Sequence, residues 1–212
     1  MRRSAVGLAI TGIVGLAVLL SLGSWQVRRL HWKAAILSEI TGKLQGEPVE
    51  LPAAPDPATD KYLPVRVSGR QDGMPLQVWY PPSYRLIAPF ITTDGRRIMI
   101  DRGLASGTPE LTGEITITGN LAWPDETDGF TPAPDGTLFF ARDVTLMAEA
   151  LGTEPVLIVA RSDTGQGTEP QPVGTAGIPN NHLQYAITWF SLAAIWAGMT
   201  VYALWRMRRE PS

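Results

Sequence analysis

SAVGLAITGIVGLAVLLSLGSWQV, residues 4–27, and LQYAITWFSLAAIWAGMTVYALW, residues 183–205, decide the fold of this 212-residue chain. Neither stretch holds a formal charge. At about 1.5 Å of rise per helical residue, each is long enough to cross a hydrocarbon layer of about 30 Å. Basic residues flank both: Arg2 and Arg3, then Arg28, Arg29 and Lys33, then Arg206, Arg208 and Arg209. Trp25, Tyr185, Trp189, Tyr202 and Trp205 occupy the positions that interfacial aromatics favour. A buried core helix is the bland reading of such runs, and their length and flanks argue for two membrane spans instead.

No Lys or Arg falls between Arg161 and Arg206, and three Arg then follow within four residues. By the positive-inside rule the C-terminus is cytoplasmic, and two spans return the N-terminus to the same side. The expected setting is a bacterial plasma (inner) membrane, with both termini cytoplasmic and the large loop periplasmic. The outer cations Arg28, Arg29 and Lys33 run against the rule, which suggests that function holds them there. A cleaved signal peptide is the rival for residues 1–23, with Ser21-Leu22-Gly23 as the cleavage site. Against it, the apolar run is too long and the helical pattern continues. Leu30, Ala34, Leu37, Thr41 and Leu44 form an amphipathic stripe that ends near Gly46-Glu47-Pro48. Gly7, Thr11, Gly15 and Gly23, with Ala193/Ala197 and Ala194/Gly198, have the small-residue spacing of close helix packing.

The domain plan is a first transmembrane helix over 4–27, its amphipathic extension over 28–46, a periplasmic β-rich domain over 47–179, a second transmembrane helix over 180–205 and a basic tail over 206–212. The fold class is an α+β membrane protein, in which two helices flank an antiparallel sheet or partly closed barrel with one short helix. Alternation predicts strands at Leu63-Val65-Val67, Ile98-Met99-Ile100, Ile115–Thr118, Leu138-Phe139-Phe140 and Val156–Val159. Asp94-Gly95 predicts a hairpin. The short helix is expected from Val144 to Leu151, capped by Asp143 and stopped by Gly152. Asp101-Arg102-Gly103 reads as a strand-end turn, and residues 162–179 read as a tether to the second span.

Charge and composition narrow the function. The formal net charge of −2 argues against a nucleic-acid partner. There are no cysteines and only two histidines, His31 and His182, so thiolate chemistry, cysteine-held clusters and all-histidine zinc sites are excluded. Residues 34–181 carry 19 acidic and 10 basic residues, with no His, Cys, GxSxG, P-loop or dinucleotide fingerprint. Paired acids such as Asp125, Glu126 and Asp128 could in principle work as acid and base, and solvated turn residues are the simpler reading. The chain reads as a non-enzyme.

The unusual chemistry lies where each span meets the outer surface: LGSWQVRRLHWK at 22–33 and NNHLQYAITWF at 180–190. These resemble the terminal signatures of the Surf1 family, as Gly23, Trp25, Gln26, Arg29, Trp32 and Lys33, and as the run from Asn180 to Trp189. YRLIAPF at 84–90, DGRRIMIDRG at 94–103 and FFARD at 139–143 resemble the family's central elements, with Phe where Trp is commoner.

The resemblance implies an assembly factor for the haem–copper cytochrome c oxidase, a chaperone of respiratory-chain biogenesis in the cell inner membrane. It implies haem a as bound cargo, with oxidase subunit I, a haem a synthase and membrane lipid as partners. His182 would ligate the haem iron. Tyr185, Trp189 and Trp196, at i+3, i+7 and i+14, would offer an aromatic face beside it, near Trp25. Arg28, Arg29 and Lys33 would pair with propionates, and Gln26 or Asn181 would hydrogen-bond peripheral groups. Asn180 or Asn181 would cap the second helix. The competing reading is a haem-free scaffold that stabilises nascent subunit I. On residue chemistry alone His182 is equally a polar anchor, the aromatics an interfacial belt and the arginines lipid anchors.

Overall fold

Two patterns of apolar residues alternate along the chain, unbroken runs near each end and a period of two between them, and each selects its own secondary structure. The computed structural model describes residues 2–106, 113–175 and 178–209. In chain order the elements are α1 (Arg2–Leu44), β1 (Val49–Glu50), β2 (Pro64–Gln71), β3 (Leu76–Tyr80), β4 (Ser83–Thr92), β5 (Arg97–Ala105), β6 (Ile115–Ala122), β7 (Leu138–Phe139), α2 (Val144–Leu151), β8 (Leu157–Ala160), β9 (Thr168–Glu169) and α3 (His182–Arg209). They form two units: a helical one from residues 1–39 with 176–212, and a β-rich one from residues 40–175.

In the helical unit α1 and α3 are both long and apolar enough to cross a membrane, and almost none of either apolar stretch is covered by protein. Val6, Ile10, Ile13, Ile187, Ile195 and Val201 all stand exposed. That pattern suits lipid as the solvent. The helix predicted to continue past the first span does so, to Leu44.

In the β-rich unit the strand pairings β2–β6, β6–β8, β8–β5, β5–β4 and β4–β2 complete a ring, a partly closed barrel. The closing seam is short, with Gly69, Arg70 and Gln71 opposite Thr92, Ile91 and Phe90. Closure depends on Gly69, where β2 leaves β6 for β4. A Cβ there would lie 2.1 Å from the Ile91 carbonyl oxygen and 2.8 Å from the Phe90 ring. Alternation along each strand sorts its side chains between two cores. Val65, Val67, Phe90, Ile98, Ile100, Ile117 and Ile158 fill one of them. Ile87, Met99, Leu157 and Val159 join the other, under Val144, Met147 and Ala148 of α2. The caps of α2 are those the sequence predicts: the Asp143 side chain accepts from the Leu146 N–H, and Gly152 adopts φ 62°.

Three sequence expectations change. Asp101-Arg102-Gly103 is not a turn after a strand but the interior of β5, with Asp101 and Arg102 both fully buried. The irregularity lies opposite, between Arg85 and Ile87, and Gly103 takes φ 93°. The reading of 162–179 as a tether fails for its first part. Thr168–Glu169 pairs with β5 as β9, and a Cβ on Gly103 would meet the Glu169 carbonyl oxygen at 2.0 Å; residues 176–177 lie outside the described part. Strand β3 was not anticipated. Its alternation is only five residues long, and its polar face ends in an exposed Trp79-Tyr80 pair.

Candidate functional site

Glycine removes the side chain that would keep two helices apart, and α1 places glycines where α3 comes closest. A Cβ on Gly12 would lie 2.2 Å from Thr200 Cγ2, one on Gly15 2.6 Å from the Trp196 ring, and one on Gly23 2.8 Å from the Phe190 ring. Ala186 and Ala193 of α3 are buried. Rising residue numbers on α1 meet falling numbers on α3, so the helices run antiparallel. The predicted small-residue stripes are thus half right. Gly15, Gly23 and Ala193 lie in the contact, whereas Gly7 and Gly198 have no described residue within 4 Å of their Cβ positions, and Ala194 and Thr11 are exposed.

Trp196 takes a different role from the one predicted for it. Its indole N–H donates to the Gly12 carbonyl oxygen at 2.9 Å while its ring covers Gly15. The indole is committed to the helix pair, not to an aromatic face for a ligand.

One polar contact continues this seam. Gln26, on α1, is 8% exposed, and its Oε1 lies 2.8 Å from Nδ1 of His182, the first residue of α3. With the amide oxygen as acceptor, Nδ1 carries the ring proton and Nε2 keeps its lone pair. An imidazole so held has one orientation and one free coordinating nitrogen, the arrangement typical of a metal-ligating histidine.

The remaining predicted residues distribute around it. Tyr185 is 55% exposed and Trp25 50%, Trp189 is half-buried, and Asn181, Arg28 and Arg29 are exposed. The Arg29 guanidinium stacks over the Trp32 ring, 3.9 Å from its centroid. Lys33 Nζ donates to the Pro179 carbonyl oxygen. The Asn181 backbone carbonyl accepts from the Tyr185 N–H at 3.2 Å, but Asn180 does not cap α3 with its side chain, because its Oδ1 is buried with no hydrogen-bond partner among the described residues. His31 is exposed. Gln26 therefore serves His182 directly, where the sequence suggested a contact to a ligand's periphery. Among the described residues, no three His, Cys, Asp or Glu side chains gather to hold a metal ion.

The β-rich unit holds a second polar cluster that sequence reasoning missed. Asp101 Oδ2 accepts from Arg85 Nε at 2.8 Å and from Arg142 Nη1 at 3.2 Å. Asp101 Oδ1 accepts from the Gly103 N–H at 3.0 Å. Arg142 reaches on to Glu126 through Nε at 3.0 Å, and Arg85 to the Gln171 carbonyl oxygen at 2.9 Å. Burial raises the pKa of Glu126, but the hydrogen bonds and charge of Arg142 outweigh it, so the net shift is downward. Burial lowers that of Arg102, whose Nη2 donates to the Thr164 carbonyl oxygen at 2.9 Å. The signal for this cluster was present: the alternation of Ile98-Met99-Ile100 carries straight on into Asp101 and Arg102. Every Asp101 partner is already satisfied within the chain, so the cluster reads as structural.

Comparison with known proteins agrees with the sequence resemblance. The profile of the SURF1 family matches residues 13–194. Surfeit locus protein 1 of Rattus norvegicus is 30% identical over 233 residues, covering 92% of this chain and 74% of the rat protein. The Homo sapiens protein of the same name is 30% identical over 212 residues, covering 82% and 69%. A SURF1-like protein of Drosophila melanogaster is 29% identical over 217 residues, covering 84% and 71%. The chain belongs to the SURF1 family.

Proposed function

From that membership we propose that this chain is an assembly factor for the haem–copper cytochrome c oxidase, which binds haem a beside His182 and passes it to subunit I. The reading places the β-rich unit and His182 on the outer side of a bacterial inner membrane, with both termini cytoplasmic. Haem a is cargo here, and the chain performs no catalysis on it. A haem a synthase would supply it and membrane lipid would surround it.

The observation that carries this reading is the Gln26–His182 hydrogen bond. A lone imidazole would suffice as the protein's ligand to haem iron, because the porphyrin itself supplies the iron's four other nitrogen donors. What the iron needs from the chain is a fixed ring with an available nitrogen, and with its proton on Nδ1 His182 would offer Nε2. Around it, Trp25, Tyr185 and Trp189 supply aromatic surface, while Arg28 and Arg29 supply exposed cations for propionates. The Oδ1 of Asn180, two residues before His182, is buried with no hydrogen-bond partner among the described residues and is a further acceptor for a donor group.

Production of the full chain together with a haem a synthase tests the proposal. The purified protein is expected to show the Soret band of haem a, and His182→Ala to lose most of it. Retention of full haem by that variant would overturn His182 as the ligand. Stable capture of subunit I by a protein with no Soret band would favour the haem-free scaffold.

A further inference from the structure

We propose that Gln26 is the positioning residue of the site: it fixes His182 as the Nδ1–H tautomer and so directs Nε2, with its lone pair, to the ligand. The inference rests on His182 as the ligating residue and adds a role for a neighbour on the other helix. Three observations carry it. Gln26 is one of the few buried polar side chains, the contact joins two different helices, and its length of 2.8 Å is that of a well-formed hydrogen bond.

A glutamine amide is a costly packing residue in an apolar helix contact, where the same seam elsewhere uses glycine and alanine. Its simplest alternative role is as polar glue between α1 and α3. Glue and positioning make different demands on the ring. As glue, the amide works equally well turned either way, with its oxygen accepting from Nδ1–H or its N–H donating to a bare Nδ1. Only the first leaves Nε2 free to coordinate. Positioning therefore requires one tautomer, and glue requires none.

The chain has only two histidines, so ring-nitrogen NMR of ¹⁵N-histidine-labelled protein resolves the question without any haem. The full chain is studied in lipid nanodiscs, at a pH where imidazole is uncharged, with His31→Gln assigning the two rings. In the wild type His182 is expected to carry its proton on Nδ1. Gln26→Glu presents only acceptor oxygens and is expected to keep that form, while Gln26→Leu loses it. Protonation of wild-type His182 on Nε2, or the same tautomer in Gln26→Leu as in wild type, would overturn the proposal. In titrations with haem a, Gln26→Leu is expected to bind about 10–100-fold more weakly, the usual cost of losing a ligand's hydrogen-bond partner. The two claims fail separately. Normal haem binding by His182→Ala sinks the ligand assignment whatever the tautomer, and a wrong tautomer sinks the role of Gln26 even if His182→Ala loses its haem.

Discussion

At the scale of single residues, the β-rich unit is organised by a carboxylate with no access to water. Asp101 is fully buried, a position that costs several kcal/mol unless charge and hydrogen bonds answer it. Arg85, Arg142 and the Gly103 N–H do so, and Glu126 completes the neutralisation of Arg142. Glu126 is the carboxylate at the edge of this cluster, paired with Arg142. Its pKa in the folded protein lies below the ordinary carboxyl value, so the stability it adds is present above about pH 4.3 and is lost as pH falls through the lower folded value. Glu126→Gln is expected to lower stability by about 1 kcal/mol at neutral pH, a figure discounted for a side chain 43% exposed to water. The gap to wild type then closes as the medium is acidified below about pH 4. Urea unfolding of the purified full chain at several pH values measures it, and a constant gap would contradict the assignment. At this scale the sequence was only partly legible. His182 and Gln26 each stood out by type and place, but their partnership depends on two helices meeting 156 residues apart. Asp101 reads as a turn residue because the arginines that answer its charge come from β4 and the turn before α2, 16 and 41 residues away.

Among the elements, α1 and α3 were the easiest to read, since length and apolarity act within one stretch of chain. Strands β2, β5, β6 and β8 followed from alternation, and α2 from its caps. Strand β9 escaped because two residues held by the neighbouring β5 have no pattern of their own. What the sequence could not specify was which face of α1 meets α3. The structure assigns Gly12, Gly15, Gly23 and Gln26 to that face, and the absence of native cysteine makes it directly testable. A Cβ at position 12 would lie 3.2 Å from Cβ of Thr200, a few tenths of an ångström short of the usual disulfide span. Gly12→Cys with Thr200→Cys is expected to form an intramolecular cross-link on mild oxidation in membranes. Gly7→Cys with Thr200→Cys is expected to form none, because Gly7 faces open space. Equal cross-linking of both pairs would mean that the helices pack otherwise.

Over the whole molecule, charge is divided far more sharply than the net value of −2 suggests. Residues 34–181 hold net −9, and the ends of the two helices hold the opposing cations. That division underlies the proposed orientation. Met74 is 81% exposed in the β-rich unit, so Met74→Cys is expected to react with a membrane-impermeant maleimide in intact spheroplasts, and Ser212→Cys only after lysis. Labelling of both from the same side would refute a two-span arrangement. The ring of strands also has a bearing on how the protein is made. Strand β8 sits between β6 and β5, so residues 157–160 must be synthesised before the ring can close. Helix α3 begins only 22 residues after β8 ends. At about 5–20 residues per second, translation crosses that interval in about 1–4 s. Until β8 arrives, β5 and β6 each present a bare edge and the apolar residues around them lack their cover. The nascent chain thus holds an open sheet from the synthesis of β2 until that of β8 and depends, over that stretch, on whatever guards unfinished polypeptides at the membrane.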